Sequence, residues 1–359
     1  MSNLKIAVMP GDGIGTEVMD AALNVLSVLQ NRFGFRLDLE DHQGGADLYR
    51  RTGTALTDES FEAARRADAI LFGAMGLPDV RYPDGTEIAP HLEMRRAFHL
   101  YAGVRPVRSL PNTPSILADP RSRDIDLVII RESTEGLFYS RGKGTIEDDS
   151  VARETLVITR DTSERLFDFS FRLAERRRER RGREGRVTCV DKSNVFVAMA
   201  FFRKIFDERS KGFAGVRADH AYVDAAALDM IRKPWEFDIL VMENMFGDIL
   251  SDLGGGLVGG MGLAPCAEIG DEHALFQPAH GSAPDIVGQG KANPTAMLLS
   301  MAMMLDWLGN RHAMPSLCEA AEALDRAVDV AYAEKIKPFE FGGSDGTREI
   351  ARAVWESIA

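Results

Sequence analysis

The order of secondary structure along the chain is the feature that most constrains its fold. Short runs rich in leucine and β-branched residues alternate with longer segments in which apolar residues recur every three or four positions. This alternation is typical of α/β proteins. The predicted strands are Lys5–Met9, Ala69–Phe72, Asp126–Ile130, Arg186–Val190 and Asp238–Met242. The predicted helices are Gly15–Phe33, Ser163–Arg181, Asn194–Glu208, Pro294–Leu308, Ser316–Glu334 and Thr347–Ile358.

Length and composition narrow the class of protein. The 359 residues suffice for about two domains, and 45% apolar with 27% charged residues is ordinary globular composition. A net charge of −12 argues against a nucleic-acid-binding protein. The apolar run Thr295–Leu305 is shorter than the roughly 20 residues of a membrane span. No signal peptide is visible, and the three cysteines are too far apart to imply a disulfide framework. We therefore expect a cytoplasmic protein without nucleic-acid or membrane partners.

Two segments interrupt the alternation. Arg172–Arg186 is arginine-rich, and either an anion-binding surface or a solvated helix end would explain it. Interleaved glutamates favour the helix end. Gly254–Gly262 is so rich in glycine that it predicts neither a continuous helix nor a continuous strand. It indicates a crossing between domains, or a backbone that approaches another group closely.

A glycine-rich turn follows the first predicted strand. In Pro10-Gly-Asp-Gly-Ile-Gly15 the glycines stand at 11, 13 and 15, whereas a dinucleotide fingerprint requires G-x-G-x-x-G. Thr16 occupies the place of the last glycine of that fingerprint. The pattern therefore does not predict a Rossmann fold, and it favours a structural turn over a phosphate site.

Three aspartates are candidate metal ligands. Asp248 and Asp252 are four residues apart, so on a helix both carboxylates project from one face. They repel each other unless a divalent cation lies between them. Asp224 would add a third oxygen ligand. An N-capping aspartate beside an exposed one is the alternative.

Basic residues near predicted strands suit an anionic ligand. Arg131 directly follows the predicted strand Asp126–Ile130. Arg95 and Arg105 lie earlier in the chain and are ten residues apart from each other. Three guanidinium groups suit a dicarboxylate, although each alone is typical of a surface ion pair. Lys192 follows another strand. It either pairs with Asp191 or, partly desolvated near a metal, acts as a base.

A later loop, His280-Gly-Ser-Ala-Pro-Asp-Ile286, followed by Asn293, combines small residues with a carboxylate. Its backbone amides suit a phosphate, and Asp285 suits a ribose diol. A generic loop is the alternative.

Taken together, these segments resemble the isocitrate and isopropylmalate dehydrogenase family of metal-dependent β-decarboxylating dehydrogenases. The most specific segments are Asn244-Met-Phe-Gly-Asp-Ile-Leu-Ser-Asp252, Val190-Asp-Lys-Ser-Asn194 and His280-Gly-Ser-Ala-Pro-Asp285. The resemblance implies an isopropylmalate-dehydrogenase-like two-domain α/β fold that is not a Rossmann fold. Residues 1–100 and 260–359 would form a discontinuous large domain with the NAD-binding loops. Residues 101–259 would form a small domain with the metal-binding carboxylates, the dimer interface and a clasp near Thr145–Thr159.

The same resemblance implies a homodimer with shared active sites and a small dicarboxylate substrate. Three arginines would bind the carboxylates of a substituted malate, namely Arg95, Arg105 and Arg131. Three carboxylates would bind Mg²⁺ or Mn²⁺, namely Asp248, Asp252 and the partner subunit's Asp224. The partner's Lys192 would help to deprotonate the 2-hydroxyl while a hydride passes to NAD⁺, and the metal-polarised keto acid would lose CO₂. The cofactor would be bound by Glu87, His280, Gly281, Ser282, Ala283, Asp285 and Asn293. Because the Asp285 carboxylate would repel a 2′-phosphate, NAD is expected rather than NADP.

One residue departs from the family pattern. The family places a tyrosine seven positions after Arg131, and here that position is Phe138, with Tyr139 next to it. If the segment is a strand, Tyr139 faces the opposite side and cannot substitute without a bulge. We therefore expect altered decarboxylation or enolate protonation.

The residues before Arg95 bear on substrate identity. His91 lies one turn before Arg95 and should share its face. Ala89 and His91 match neither the more apolar surface of isopropylmalate enzymes nor the serine and asparagine of isocitrate enzymes. We expect 3-isopropylmalate as substrate, with tartrate or D-malate as the alternative. A noncatalytic regulatory subunit is the alternative of another class, although the metal and base residues it would lack are present.

Overall fold

The computed structural model describes residues 3–358, which separate into two compact units. The first unit comprises the residues up to 99, residues 110–114 and those from 259 onward, and the second comprises 100–109 and 115–258. The strands are β1 (Leu4–Gly11), β2 (Leu37–Asp41), β3 (Ala69–Ala74), β4 (Ala102–Arg108), β5 (Asp126–Glu132), β6 (Thr145–Glu147), β7 (Val151–Arg153), β8 (Gly185–Asp191), β9 (Val216–Tyr222), β10 (Ile239–Met242), β11 (Pro265–Ile269) and β12 (Ala274–Pro278). The helices are α1 (Ile14–Phe33), α2 (Ala46–Thr52), α3 (Asp58–Arg66), α4 (Pro90–Ala97), α5 (Arg160–Arg181), α6 (Val197–Ser210), α7 (Val223–Arg232), α8 (Asn244–Leu257), α9 (Thr295–Arg311), α10 (Pro315–Glu334) and α11 (Thr347–Glu356). The predicted α/β class is confirmed.

The first unit is built on strands in the order β2-β1-β3-β12-β11. All neighbours are parallel except β12 and β11. The apolar residues that recur every three or four positions in α1, such as Val18, Val25 and Leu29, are fully buried, and Gly34 ends the helix in the left-handed conformation, with φ 69°. The apolar run Thr295–Leu305 belongs to α9, which packs on β11, β12 and α10. No helix within residues 3–358 has the length and hydropathy needed to cross a membrane.

The second unit places several chain turns at one sheet edge. Its strands lie in the order β4-β5-β10-β8-β9, and β5, β10, β8 and β9 are parallel. The register sets Arg131 beside Met242 and Asp191 beside Tyr222. The residues that follow these four strands therefore emerge at the same carboxyl edge, where α/β sheets bind ligands. Strands β6 and β7 form a separate exposed antiparallel pair within the segment predicted as a clasp.

Part of the arginine-rich segment faces the protein interior. Arg177 and Arg181 on α5 each form ion pairs with Asp126 and Asp238, at 2.8–3.1 Å. Asp238, immediately before β10, is buried, and burying a carboxylate requires a compensating partner. A solvated helix end therefore describes only some of the arginines. The side chains of Arg177 and Arg181 instead neutralise the carboxylates of Asp126 and Asp238.

The prediction that Gly254–Gly262 is not helical is wrong for its first four residues. Helix α8 continues through Gly254, Gly255 and Gly256 to Leu257. A Cβ on Gly254 would lie 2.6 Å from Cγ2 of Val107 on β4. Glycine thus lets the helix pack directly on the sheet, and this packing outweighs the poor helix propensity of three glycines. Close approach, one of the two expected reasons for glycine here, applies to Gly254.

Two glycines of α8 give a matched test of this packing. We expect Gly254→Ala to lower the free energy of unfolding by about 1–3 kcal/mol, because the added methyl group collides with Val107. Gly256 has no atom within 4 Å of a Cβ position, so Gly256→Ala should raise stability by up to about 1 kcal/mol. Urea titrations of both variants measure the difference. Equal midpoints for the two variants would contradict this account.

Candidate active site

Arg131 anchors the start of α8 to the end of β5. It is 4% exposed, and its Nε donates to Oδ1 of Asn244 at 2.9 Å. Its Nη1 donates to the carboxylate of Asp248. Asn244 in turn donates from Nδ2 to the carbonyl of Glu135 at 2.9 Å, and the buried Glu243 side chain caps two N–H groups of the first turn of α8. A guanidinium and a carboxylate are thereby fixed at the carboxyl edge of the sheet.

Asp248 and Asp252 share one face of α8, as predicted. Burial raises the pKa of Asp252, and the charge of Asp248 raises it further. Arg105 and Arg131 act in the opposite direction but do not cancel these effects. A carboxylate pair in which one charge opposes the ionisation of the other suits a divalent cation, which would relieve the repulsion.

Lys192 and Asp224 form an ion pair at the same sheet edge. The Nζ of Lys192 donates to Oδ1 of Asp224 at 2.6 Å and lowers the pKa of that carboxyl group. Asp191 is wholly buried and binds Arg203 through two hydrogen bonds of 2.7 and 2.9 Å. It also accepts from the N–H of Ser193 at 2.8 Å. Lys192 thus pairs with Asp224 rather than Asp191, and Asp191 instead fixes the turn that carries Lys192.

The three predicted metal ligands do not meet within one chain. Residues 3–358 contain no group of three histidine, cysteine or carboxylate side chains that could hold a metal ion. Asp248 and Asp252 offer two oxygen ligands on α8, whereas Asp224 lies in the first turn of α7 and is hydrogen-bonded to Lys192.

The arginine of the first unit has a partner that sequence reasoning missed. Arg95 lies on α4, and its Nη2 is 2.7 Å from Oε1 of Glu268 on β11, with side chains 6% and 0% exposed. The signal was available, since a glutamate within the short strand sequence Pro-Cys-Ala-Glu-Ile needs a cationic partner when that strand is buried. His91, one turn before Arg95, makes an edge contact with Phe72.

The glycine-rich turn after β1 is structural, as predicted. Asp12 is buried and accepts from the N–H groups of Ala46, Asp47 and Gly76 at 2.7–2.8 Å. It therefore caps α2 and holds the segment after β3. A Cβ on Gly13 would lie 2.1 Å from the carbonyl oxygen of Ser282. Close backbone approach, rather than a phosphate, explains the glycines.

The loop predicted to bind the cofactor is held against this turn. The carbonyl of Ser282 accepts from the N–H of Ile14 at 2.9 Å, and its hydroxyl donates to the carbonyl of Gly76. Ala283 adopts φ 38°, and Gly281, Ala283 and Asp285 are exposed. The loop backbone is thus fixed while its tip stays open to a ligand.

Three further predicted cofactor residues differ in whether their polar side-chain atoms already have partners in the protein. Burial lowers the pKa of His280, and its Nε2 is buried without a hydrogen-bond partner among the described residues. A neutral imidazole with an unused nitrogen suits a nucleotide. The Asn293 amide is already bound to Tyr332 and Glu340, both at 3.1 Å, so it orders the start of α9. The Glu87 side chain is more than half exposed, and its Oε1 lies 3.5 Å from Nη1 of Arg81.

The segment around Phe138 is a 3-10 turn, Leu137–Ser140, so its interpretation as a strand is wrong. The Phe138 ring centroid lies 5.0 Å from Cζ of Arg131. Tyr139 is 41% exposed, and its ring is 4.0 Å from Nζ of Lys143. Successive residues of a 3-10 helix diverge by about 120°. Tyr139 therefore does not take the place beside Arg131.

Comparison with known proteins shows similarity over nearly the whole chain. A family model described as isocitrate/isopropylmalate dehydrogenase matches residues 5–354. The 3-isopropylmalate/3-methylmalate dehydrogenase of Methanocaldococcus jannaschii is 40% identical over 355 residues, which cover 99% of this chain and 98% of that protein. The homoisocitrate dehydrogenase of the same organism is 37% identical over 361 residues, with coverages of 99% and 98%. The crystal structure of isocitrate dehydrogenase from Methylococcus capsulatus has a TM-score of 0.86 at 34% identity and covers 99% of both chains.

Removing one charge from the carboxylate pair on α8 should raise the stability of the metal-free protein and lower its affinity for Mn²⁺. Asp252→Asn should raise the melting temperature of the metal-free protein, because it removes a charge that burial and Asp248 both disfavour. The same change should weaken Mn²⁺ binding about tenfold or more, since one oxygen ligand loses its charge. Calorimetric titration with Mn²⁺ and thermal melts measure the two effects.

Asp229→Asn is the matched control. Asp229 lies on α7 and pairs with Lys233 at 3.5 Å, so this variant removes the same charge from the same unit. Unchanged Mn²⁺ affinity in folded Asp252→Asn would contradict the assignment.

Proposed function

Since the chain belongs to the isocitrate/isopropylmalate dehydrogenase family and is a decarboxylating dehydrogenase, we propose that it oxidises and decarboxylates a 3-substituted malate with NAD⁺ and a divalent metal ion. The observation that carries this proposal is the buried Arg131, fixed at a sheet edge beside the Asp248–Asp252 pair. An anion-binding guanidinium next to metal-type carboxylates suits a hydroxy acid that chelates a cation. The first candidate substrate is 3-isopropylmalate, which also appears in the name of the 40% identical relative.

The metal would be held by Asp248 and Asp252, with the partner subunit's Asp224 as the third carboxylate. That one chain does not bring the three together is consistent with this division. When bound, Mg²⁺ or Mn²⁺ supplies Lewis-acid polarisation of the substrate oxygen, and NAD⁺ accepts the hydride.

The protein side chains would bind, orient and move a proton. Arg95, Arg105 and Arg131 bind the malate carboxylates, and their planar donors fix the orientation of the substrate. Lys192, on the partner subunit, would assist the deprotonation of the 2-hydroxyl. Its hydrogen bond to Asp224 holds Nζ in place until the substrate arrives.

The loop around Ser282 would bind the adenosine half of NAD⁺. Its exposed tip offers backbone amides to phosphate, and neutral His280 offers an unused ring nitrogen. The exposed Asp285 carboxylate accepts hydrogen bonds from the ribose hydroxyls and repels a 2′-phosphate, so NAD⁺ is preferred over NADP⁺. Glu87 and Asn293 remain proposed cofactor residues, the latter by ordering the start of α9.

The protein would act as a homodimer. The second unit exposes large apolar side chains near the Lys192–Asp224 pair, at the start of α6 and on α7 and α8: Val195, Phe196, Val197, Leu228, Ile231 and Ile249. An exposed apolar patch of this kind is typical of a subunit interface. A second copy of the chain covering it would also bring its own Lys192 and Asp224 towards the neighbour.

The apolar patch predicts a dimer that one charge can disrupt. Val197 is 87% exposed, and Val197→Asp should shift the protein to monomers and abolish turnover, because a buried interfacial charge is costly. Ile116→Asp is the control, since Ile116 is 66% exposed outside the patch. Light scattering coupled to size exclusion measures the mass. A fully active dimer of Val197→Asp would contradict the proposed interface.

Oxidation of tartrate or D-malate is the second candidate function. The observation that favours it is His91, a polar side chain one turn before Arg95 on α4, where a more apolar surface would suit an isopropyl group. A noncatalytic regulatory subunit is less consistent, because Lys192, Asp224, Asp248 and Asp252 are all present.

The proposal predicts Mn²⁺-dependent NADH formation with one preferred substrate among 3-isopropylmalate, D-malate, tartrate and isocitrate. CO₂ is counted in the same assay. We expect a CO₂ yield below the NADH yield, because Phe138 offers no hydroxyl beside Arg131. Phe138→Tyr should bring the two yields together. NAD⁺ binding without turnover of any substrate would favour the noncatalytic subunit instead.

A further inference from the structure

A cavity of about 1030 Å³ lies in the first unit, between α1, α11 and the segments 288–290 and 344–346. Its volume is at the upper end of the range of small-molecule sites. All of its walls belong to one compact unit. None of the residues proposed above to bind the metal, the malate or NAD⁺ lines it. A ligand held there would therefore occupy a separate site.

Two arginines give the α11 wall of this cavity a positive charge. Arg348 and Arg352 are one helical turn apart, so their side chains share a face. Both are exposed, and neither forms an ion pair or a hydrogen bond with another residue of the described part of the chain. Arg348 lies in the first turn of α11, where a cation opposes the helix dipole. Two such arginines in a chain of net charge −12 suit a bound anion.

The acidic residues that line the cavity differ in whether they are already engaged. The carboxylate of Glu17 accepts a hydrogen bond from the N–H of Gly288, and that of Glu349 accepts one from the N–H of Gly346 at 3.2 Å. Asp20, on α1, is exposed and has no partner within residues 3–358. A ligand therefore meets two unpaired guanidinium groups and one unpaired carboxylate.

Aromatic rings and an amide complete the lining. Trp355, near the end of α11, is partly exposed, and Phe339 is 41% exposed. Exposed aromatic rings stack planar ligands, and every nucleobase has a face suited to them. Asn24, one turn after Asp20 on α1, offers both a donor and an acceptor to the polar edge of a base.

The spacing along α11 suits a ligand with an anionic end and a planar end. Arg348, Arg352 and Trp355 stand at i, i+4 and i+7 and therefore share one helix face. At a rise of 1.5 Å per residue, Trp355 lies about 10 Å along the helix from Arg348, a distance that a nucleotide can span.

We propose that this cavity is a binding site for a nucleoside phosphate, with the phosphate on Arg348 and Arg352 and the base stacked on Trp355. Guanine is the base that the cavity suits best, because the carboxylate of Asp20 can accept hydrogen bonds from both its N1–H and its amino group. The site is formed within one chain and does not depend on the proposed dehydrogenase reaction.

Calorimetric titration with GMP tests the phosphate contacts, with saturating NAD⁺ present to occupy any cofactor site. We expect saturable binding by the unmodified protein. The combined substitution Arg348→Gln and Arg352→Gln should weaken it about tenfold or more, because two charge-assisted contacts are lost. Arg326→Gln is the matched control, since Arg326 is an exposed arginine on α10 of the same unit and does not line the cavity. It should leave the affinity unchanged.

Variants of Trp355 and Asp20 test the base contacts. Trp355→Leu should weaken GMP binding about tenfold, whereas Trp355→Phe keeps a ring and should retain most of the affinity. Inorganic phosphate should bind more weakly than GMP and should not distinguish these two variants. Asp20→Asn should lower the preference for GMP over AMP, because an amide no longer accepts from both donors of guanine. Thermal melts establish that each variant is folded.

Three results would overturn the proposal. The first is the absence of saturable GMP binding by the unmodified protein. The second is GMP binding that NAD⁺ displaces and that the two arginine substitutions leave unchanged, which places GMP in the cofactor site. The third is equal affinity for phosphate and GMP with no effect of Trp355→Leu, which leaves only an anion site. The assay of NADH formation remains separate, since GMP binding requires no turnover.

Discussion

Parallel pairing of β5, β10, β8 and β9 is the constraint on which the candidate site of the second unit depends. Parallel strands bring their carboxyl ends to one edge, and the strand ends and the residues just after them include Arg131, Glu243, Lys192 and Asp224. Residues up to about a hundred positions apart along the chain therefore lie together. The start of α8 is then fixed by its cap and by Asn244, which sets the face that carries Asp248 and Asp252, and Arg131 also binds Asp248.

Pairing of buried charges is the second recurring feature. Asp191 is bound by Arg203, Asp238 by Arg177 and Arg181, and Glu268 by Arg95. An unpaired ion in these places would be strongly destabilising. The pair on α8 differs, since its two carboxylates leave a residual repulsion. That exception marks the place where a cation is expected, because a site prepared for a ligand is commonly unfavourable without it.

Each strand that was predicted has a neighbouring strand on both sides, and several of those that were missed have identifiable reasons. Strands β2 and β9 lie at sheet edges, where alternate residues are polar and the apolar signal is weak. Gly103 and Pro106 interrupt the apolar run of β4, and Glu268 interrupts that of β11. The glycines of α8 hid the end of that helix, because only the proximity of Val107 shows why glycine is needed there.

The sequence by itself determined the α/β class, the apolar face of α1, the structural character of the turn after β1 and the family, because each depends on local periodicity or on residues fixed within a short motif. The spacing of Asp248 and Asp252 likewise determined their common helix face. Only the tertiary structure decided that Arg95 pairs with Glu268, that Lys192 pairs with Asp224 rather than Asp191, and that Phe138 rather than Tyr139 lies beside Arg131. Those choices depend on which elements pack together, and a charge or ring acquires its partner only when separate segments meet.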